Sequence, residues 1–212
     1  MPISRDALLA QLHTRPLAEV VQEHVFDGEP IVFAHRPMLY SVVRTHLSDR
    51  LGVTPDAMTI VGSGKIGYSL SPDSFGRPFS PTSDVDVVVV DGRLFDQIWA
   101  HLLEWRYPWH LRKWSNLDRN WGIARLEEFI CGHCTPNVIK YTGLEYAKLL
   151  RPLRDLSVRW FDAFQSLGQH SLLASRKFNG RLYRTWDHAA QYHAYSLSEV
   201  VKLFPRRKGS MP

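Results

Sequence analysis

The sequence has few cysteines and no long apolar run. Only two of its 212 residues are cysteine, which argues against a disulfide-stabilised secreted fold and predicts a reducing compartment. No stretch long and apolar enough to span a membrane occurs, and the first sixteen residues include arginine, aspartate, histidine and proline, so no signal peptide is predicted either. We therefore expect a cytoplasmic protein that does not contact membranes.

The excess of charge is also small. A formal charge of +5 and an isoelectric point of about 9.3 suit a partner that carries phosphate but do not require a nucleic acid. A hydrophobic content of 44% is ordinary for a folded protein, and the length fits one domain. The seven tryptophans are expected to fill a core rather than to stack on bases. Nothing in the sequence predicts a particular oligomeric state.

Hydrophobic periodicity predicts alternating helices and strands. An amphipathic helix is expected from Pro37 to Leu51, ended by Gly52, and the most strand-like segment is 85–90, where every residue except Asp86 is valine. The other predicted elements are a first helix capped by Ser4, a strand at 58–61, a helix at 93–105, helices near 126–130, 145–150 and 156–167, a strand at 181–186 and a helix at 187–204.

This element order predicts an α/β (α+β) fold in which a small mixed β-sheet carries flanking helices and a helical insertion. We expect N-terminal helices in 1–52, a core in 53–105, and a helical region with a late strand and C-terminal helix in 106–204. These parts are predicted to form one domain. A basic tail follows at 205–212.

Two short motifs stand at strand junctions. The apolar strand 58–61 leads into Gly62-Ser63, and Asp84-Val85-Asp86 opens the next strand. Because side chains alternate along a strand, the two aspartates project from one face. Two carboxylates on one face can share divalent cations, and a Gly-Ser turn lets the backbone approach a triphosphate closely. Together the motifs predict a site for metal-assisted phosphoryl transfer.

This motif pair, Val61-Gly62-Ser63 followed by Asp84-Val85-Asp86 among valines, resembles the signature of the polymerase β-like nucleotidyltransferase superfamily. The wider stretch, with GSGKIGYSLSP, SDVDVVVV and LFDQIW, is similar to small bacterial stand-alone members of that superfamily. The resemblance covers roughly residues 54–105 and implies that 53–105 form the nucleotidyltransferase core.

The resemblance implies roles for individual residues. Asp84 and Asp86 would hold two divalent ions, Mg²⁺ or Mn²⁺, and serve catalysis, while Gly62-Ser63 would bind the phosphates of a nucleoside triphosphate. Lys65 is a candidate for a further cation at these phosphates, with a solvated loop lysine as the alternative. In the loop before the aspartates, Arg77 is the favoured nucleotide ligand, and the loop serines are expected to be solvated.

A third acid is not evident. Active members of the superfamily usually carry one on a later strand beside the aspartate strand, but the best later strand, 181–186, has none. Asp187 follows that strand at once and is a candidate catalytic residue, with a helix N-cap as the favoured alternative. Glu127 and Glu128 fall in a helical pattern and are poorer candidates.

The resemblance therefore implies an enzyme that moves a nucleoside monophosphate from a nucleoside triphosphate to an acceptor hydroxyl. RNA, a protein side chain and a small molecule are the candidate acceptors. The alternative hypothesis is a catalytically inactive protein of the same fold that binds a nucleotide or RNA, for example in a defence or toxin–antitoxin system.

Two further groups of residues suggest other chemistry. Cys131-Gly132-His133-Cys134 has a zinc-like spacing, but no second pair follows, so one or both thiols are interpreted as small core fillers. Basic residues interleaved with aromatic ones in 176–186, together with the basic tail, suit a polynucleotide or, equally, a solvated strand and tail.

Overall fold

The computed structural model describes residues 3–107, 115–136, 151–170, 173 and 176–206. Its helices are α1 (Arg5–Leu12), α2 (Leu17–Val21), α3 (Pro37–Leu51), α4 (Ser63–Ile66), α5 (Gly92–Arg106), α6 (Asn116–Ile130), α7 (Arg151–Gly168) and α8 (Trp186–Leu203). Its strands are β1 (Met58–Val61), β2 (Val85–Val90), β3 (His133–Cys134) and β4 (Phe178–Tyr183). The predicted mixed α/β fold is confirmed.

Local chemistry explains where several helices begin and end. The side chain of Ser4 caps α1 by accepting a hydrogen bond from the Ala7 amide at 3.3 Å. Asp91 caps α5 in the same way, with its Oδ1 2.7 Å from the Leu94 amide. Gly52 ends α3 in the left-handed region at a φ of 70°, where a residue without a β-carbon is least strained.

The strands form one mixed sheet in the order β1-β2-β4-β3. β1 runs antiparallel to β2, β2 runs parallel to β4, and β3 runs antiparallel to β4. The register places Asp86 of β2 between Val61 of β1 and Asn179 of β4. The end of β1 and the beginnings of β2 and β4 therefore meet at one edge of the sheet.

Alternation along β2 divides its side chains between two cores. Val85, Val87 and Val89 pack in a core to which α3, α5 and α7 contribute. Val88 lies on the opposite face, in a core to which α1, α2 and α8 contribute. Asp86 shares the face of Val88 but points into an open cleft instead of a core. The aspartate is thus held on a strand that is anchored on both faces.

Most predicted elements are confirmed, including both early strands and the helix that Gly52 ends. The late strand was placed too far along the chain, since it spans Phe178–Tyr183 and not 181–186. Thr185 explains the difference, because its Oγ1 accepts from the His188 amide and starts α8 at Trp186. The short strand β3 had no counterpart among the predicted elements.

Some predictions fall outside the described residues, namely the helix at 145–150, Trp109, Trp114 and the tail beyond Arg206. Trp121 is described, and it packs edge-on against Trp105 in the core at a centroid distance of 5.2 Å. None of the described helices has the length and apolar character needed to cross a bilayer.

Candidate functional site

A cleft of about 970 Å³ opens at the sheet edge where β1 ends and β2 and β4 begin. Its volume lies within the range of small-molecule sites, roughly 300–1,000 Å³. The cleft has three parts: a centre formed by Gly62-Ser63 and the two aspartates, an end rich in hydroxyls from the loop 69–83, and an end formed by β4 and α8. The two predicted motifs therefore line one cavity.

The centre of the cleft brings the Gly-Ser turn against the carboxylates. Gly62 has φ 65° and ψ −144°, a conformation that residues with a β-carbon rarely adopt. A β-carbon added there would lie 3.4 Å from Oδ2 of Asp86. Ser63 lines the cleft beside it. The glycine thus leaves open the space between the turn and the carboxylate.

The environment of Asp86 raises the pKa of its carboxyl group. Water reaches this group through the cleft, but the surrounding walls reduce its solvation, and the charge of Asp84 acts in the same direction. A hydrogen bond with Asn179 and the charges of Arg181 and Lys177 act against this shift without cancelling it. Repulsion between the two aspartates favours the binding of a cation between them.

Asp84 accepts two hydrogen bonds from β4 and the residue before it. Its Oδ2 lies 2.9 Å from Nζ of Lys177 and 2.9 Å from Nδ2 of Asn179. Lys177 is 70% exposed, so this ion pair is weak and its ammonium can move away at little cost. Neither partner was identified from the sequence, because the predicted strand began after them.

Lys65 is not among the residues that line the cleft, so its predicted role in nucleotide binding is not supported. The side chain is 4% exposed and points away from the cleft, where its Nζ donates to the carbonyl oxygens of Phe26, at 3.1 Å, and Gly28. Burial lowers the pKa of Lys65 to about 8. The alternative of a solvated loop lysine is also wrong, because α4 turns the residue inward and makes it a structural cross-link.

Arg77 lies where the prediction needs it, on the lining of the cleft. Its loop is folded back on itself, with the Ser69 amide donating to the Arg77 carbonyl at 2.8 Å and an isolated bridge between Tyr68 and Pro78. Ser69 and Ser74 bond each other at 2.8 Å, so these hydroxyls are only partly available to a ligand. Within the described residues, the Arg77 guanidinium forms no ion pair.

Asp187 is not among the residues that line the cleft, and it is not the helix cap. It lies exposed in the first turn of α8, one residue inside the helix that Thr185 caps. The sheet instead places Asn179 beside Asp86, on the strand next to the aspartates. The residue beside Asp86 on the neighbouring strand therefore carries an amide and not a carboxylate.

Glu127 and Glu128 also fail to complete the carboxylate pair. Both lie on α6, and neither is among the residues that line the cleft. Glu128 is half-buried and pairs with Arg125 at 3.1 Å. Burial raises the pKa of its carboxyl group.

The third part of the cleft, at β4 and α8, is cationic and aromatic. Arg181 holds its Cζ 4.4 Å from the ring centroid of Tyr192. Tyr183, His193 and Ser196 line the same end. Alternation in RLYRTW already put Arg181 and Tyr183 on one face, and this was the available signal for their common location.

The donor set fits one divalent cation of the Mg²⁺ or Mn²⁺ type. Asp84 and Asp86 offer oxygen ligands, and the other ligands would come from water or a bound phosphate group. Within the part of the chain that the structure describes, no group of three or more His, Cys, Asp or Glu side chains is placed to hold a metal ion.

The remaining candidates have structural roles. Cys134 is buried in the core, where burial raises the pKa of its thiol, whereas Cys131 is exposed. The basic residues of 176–186 are dispersed: Arg176 donates to the Ser80 carbonyl at 3.1 Å, and Arg184 pairs with Asp96 at 2.9 Å.

In comparisons with known proteins, no protein-family model, no curated protein and no solved structure matches this chain.

Proposed function

We propose that the cleft binds a nucleoside triphosphate with one divalent cation, Mg²⁺ or Mn²⁺, and transfers the nucleoside monophosphate to an acceptor hydroxyl. The observation that carries this proposal is the contact between the two motifs. Gly62, in a conformation suited to glycine, lies directly against Asp86, so the phosphate-binding turn and the carboxylates border the same space. A triphosphate in that space would touch both.

Each residue of the centre has a specific task in this proposal. Asp84 and Asp86 would hold the cation, and Asp84 would have to give up its ion pair with Lys177 to do so. Gly62 lets the backbone approach the phosphates, and Ser63 donates its hydroxyl to them. When bound, the cation neutralises the phosphates and polarises the α-phosphorus. Arg77 contributes positive charge from the loop.

The transfer itself is a displacement at phosphorus. The acceptor oxygen forms a bond to the α-phosphorus while the bond from the α-phosphorus to the bridging oxygen of the β-phosphate breaks. Pyrophosphate leaves with the electron pair, and the hydroxyl proton passes to water in the cleft. The chain contributes mainly by positioning the reactants and by stabilising charge.

One observation favours a second candidate, binding of the nucleotide without transfer. Asn179 occupies the place beside Asp86 where a third carboxylate would hold a second cation and activate the acceptor. An amide is a weaker ligand than a carboxylate and cannot neutralise a second divalent ion. The protein would then sense a nucleoside triphosphate.

Turnover distinguishes the two candidates. The purified protein is incubated with each of the four nucleoside triphosphates, Mg²⁺ or Mn²⁺, and a mixture of candidate acceptors, and the release of pyrophosphate is measured. Transfer predicts release that disappears in Asp86→Asn. Binding without release, with the same dependence on Asp86, supports the sensor. Absence of both binding and release contradicts the proposed function.

A further inference from the structure

Arg181 lies across the aspartate strand from the Gly-Ser turn. The sheet order puts β2 between β1 and β4, and neighbouring strands are roughly 4.8 Å apart. Arg181 is opposite Val88, two residues beyond the pair formed by Asp86 and Asn179, so its side chain leaves the sheet on the same face as Asp86. It lines the same cleft. The Gly-Ser turn and Arg181 therefore stand on opposite sides of the aspartate strand.

The guanidinium of Arg181 has no carboxylate partner within the described residues. Glu128 of α6 acts on Arg181 electrostatically, but its ion pair at 3.1 Å is with Arg125. Asp86 acts on Arg181 only through the electrostatic interaction that lowers the pKa of Asp86. A partly buried cation without a counter-ion is a favourable place for an anionic group to bind.

Neutral rings fix the orientation of this cation. Its Cζ lies 4.4 Å from the ring centroid of Tyr192, and the phenol groups of Tyr183 and Tyr192 both interact with the guanidinium. A guanidinium stacked on a ring keeps N–H groups at its edge, which can pair with two oxygens of one phosphate. This arrangement therefore favours a phosphate group, which offers two oxygens, over a monatomic anion.

The wall beside Arg181 suits a nucleoside. The imidazole of His193 lies among the rings of Phe26, Tyr183 and Tyr192, and its Nε2 is buried without a hydrogen-bond partner in the described residues. Burial, aided by Arg181, lowers the pKa of His193 to about 4, so the ring is neutral at pH 7. A neutral imidazole can bond the edge of a base, and it adds no second positive charge.

We propose that Arg181, Tyr192 and His193 form an acceptor subsite for a nucleoside monophosphate unit, with the phosphate on Arg181 and the nucleoside against His193. This inference rests on the proposed function and names its acceptor. Displacement at phosphorus requires the attacking and leaving oxygens to be on opposite sides of the α-phosphorus. A triphosphate on the β1 side and an acceptor on the β4 side would approach the aspartates from opposite directions, which is compatible with that requirement.

The test measures binding of a second nucleotide to the protein already saturated with a non-hydrolysable triphosphate and Mg²⁺. Calorimetry is performed with each of the four nucleoside monophosphates, with the matching nucleosides and with a short RNA. We expect a monophosphate to bind this complex, and the nucleoside lacking phosphate to bind at least about ten-fold more weakly, as expected for the loss of charge-assisted hydrogen bonds. If the RNA binds more tightly than the free monophosphate, the acceptor nucleotide is the end of an RNA strand.

Variants assign the effect to Arg181. Arg181→Gln should weaken binding of the monophosphate about ten-fold or more and change the affinity for the triphosphate less than three-fold. Arg181→Lys keeps the charge but not the paired N–H groups. Its affinity for the monophosphate should therefore lie between those of the wild type and Arg181→Gln. Arg184→Gln, which removes an exposed arginine that is paired with Asp96, is the matched control and should have no effect.

Three results would overturn the subsite. In the first, the monophosphate competes with the triphosphate, so there is one nucleotide site. In the second, Arg181→Gln weakens the binding of both nucleotides equally, so Arg181 is part of the triphosphate site. In the third, the triphosphate binds but no monophosphate does, which refutes the subsite and leaves the proposed function standing. Failure of the triphosphate itself to bind refutes both.

Discussion

Nδ2 of Asn179 donates a hydrogen bond to Oδ2 of Asp84 over 2.9 Å. Asn179 also stands beside Asp86 in the parallel register of β2 and β4. One residue thus touches one aspartate and neighbours the other, and it brings an amide where a carboxylate would complete a site for two cations. Under the proposed function, the two aspartates would therefore hold one cation.

Asn179→Asp should create a site for a second divalent cation. The new carboxylate would lie beside Asp84 and Asp86, and three acids can share two ions where two acids hold one. We expect the number of Mn²⁺ ions bound per protein, in the presence of a non-hydrolysable triphosphate, to rise from one to two. Electron paramagnetic resonance of free Mn²⁺ gives this number directly.

Asn179→Ala is the matched control for that experiment. It removes the hydrogen bond to Asp84 without adding charge, so the number of bound ions should remain one. A count of one in Asn179→Asp as well would mean that the position next to Asp86 does not face the cation site.

Gly62→Ala should weaken triphosphate binding and destabilise the protein. The new methyl group would lie 3.4 Å from Oδ2 of Asp86, and the φ of 65° with ψ of −144° is strained for alanine by roughly 1–3 kcal/mol. Gly52→Ala is the control, since its φ is 70° but nothing lies within 4 Å of the added methyl. Denaturation should show a loss of stability in both variants, whereas calorimetry should show weaker triphosphate binding in Gly62→Ala alone. Equal binding in the two would contradict the role of the turn.

Lys65→Met should change the pH dependence of stability but not nucleotide binding. The folded pKa of Lys65 is lowered to about 8 from the usual 10.5, so the unfolded chain binds more protons between these values and stability rises with pH there. The contribution is lost as pH falls from 10.5 through 8 and amounts to about 3 kcal/mol. Denaturation of both proteins at pH 7 to 10.5 should show this rise in the wild type and its absence in Lys65→Met. Parallel profiles would exclude a buried, charged lysine.

His193→Phe should make the protein less sensitive to acid. The folded pKa of His193 is lowered to about 4 by burial and by Arg181, so its contribution to stability is present above pH 6.5 and lost as pH falls toward 4. Phenylalanine keeps the ring contacts and cannot be protonated. The loss of unfolding free energy between pH 6.5 and 4 should shrink by about 3 kcal/mol in the variant. An unchanged loss would mean that other groups cause the acid sensitivity, and His133, whose pKa is also lowered to about 4, would be the next to test.

Much of the fold could be predicted because local signals and burial agree in the first half of the chain. The valine run of β2 is buried on both faces, and Gly52 and Asp91 mark helix boundaries through local chemistry. The juxtaposition of Gly62-Ser63 with Asp84 and Asp86 followed from the same pattern. These features depend on residues close together in the sequence.

The other half of the site could not be predicted because it depends on pairing between distant segments. Asp86 and Asn179 are neighbours through the register of two parallel strands, and no local pattern specifies that register. The inward turn of Lys65 is decided by carbonyl oxygens near residues 26–28. Asp187 was a reasonable candidate only while the late strand was placed three residues too far along.

The most direct test of the proposed nucleotide site is calorimetry of nucleoside triphosphate binding with and without Mg²⁺, in the wild type and in Asp86→Asn. We expect binding that requires the cation and is at least about ten-fold weaker in Asp86→Asn, because a cation ligand is lost. Asp187→Asn, at an exposed position outside the cleft, should bind like the wild type. Binding of equal strength without Mg²⁺ or in Asp86→Asn would contradict a metal and nucleotide site at the two aspartates.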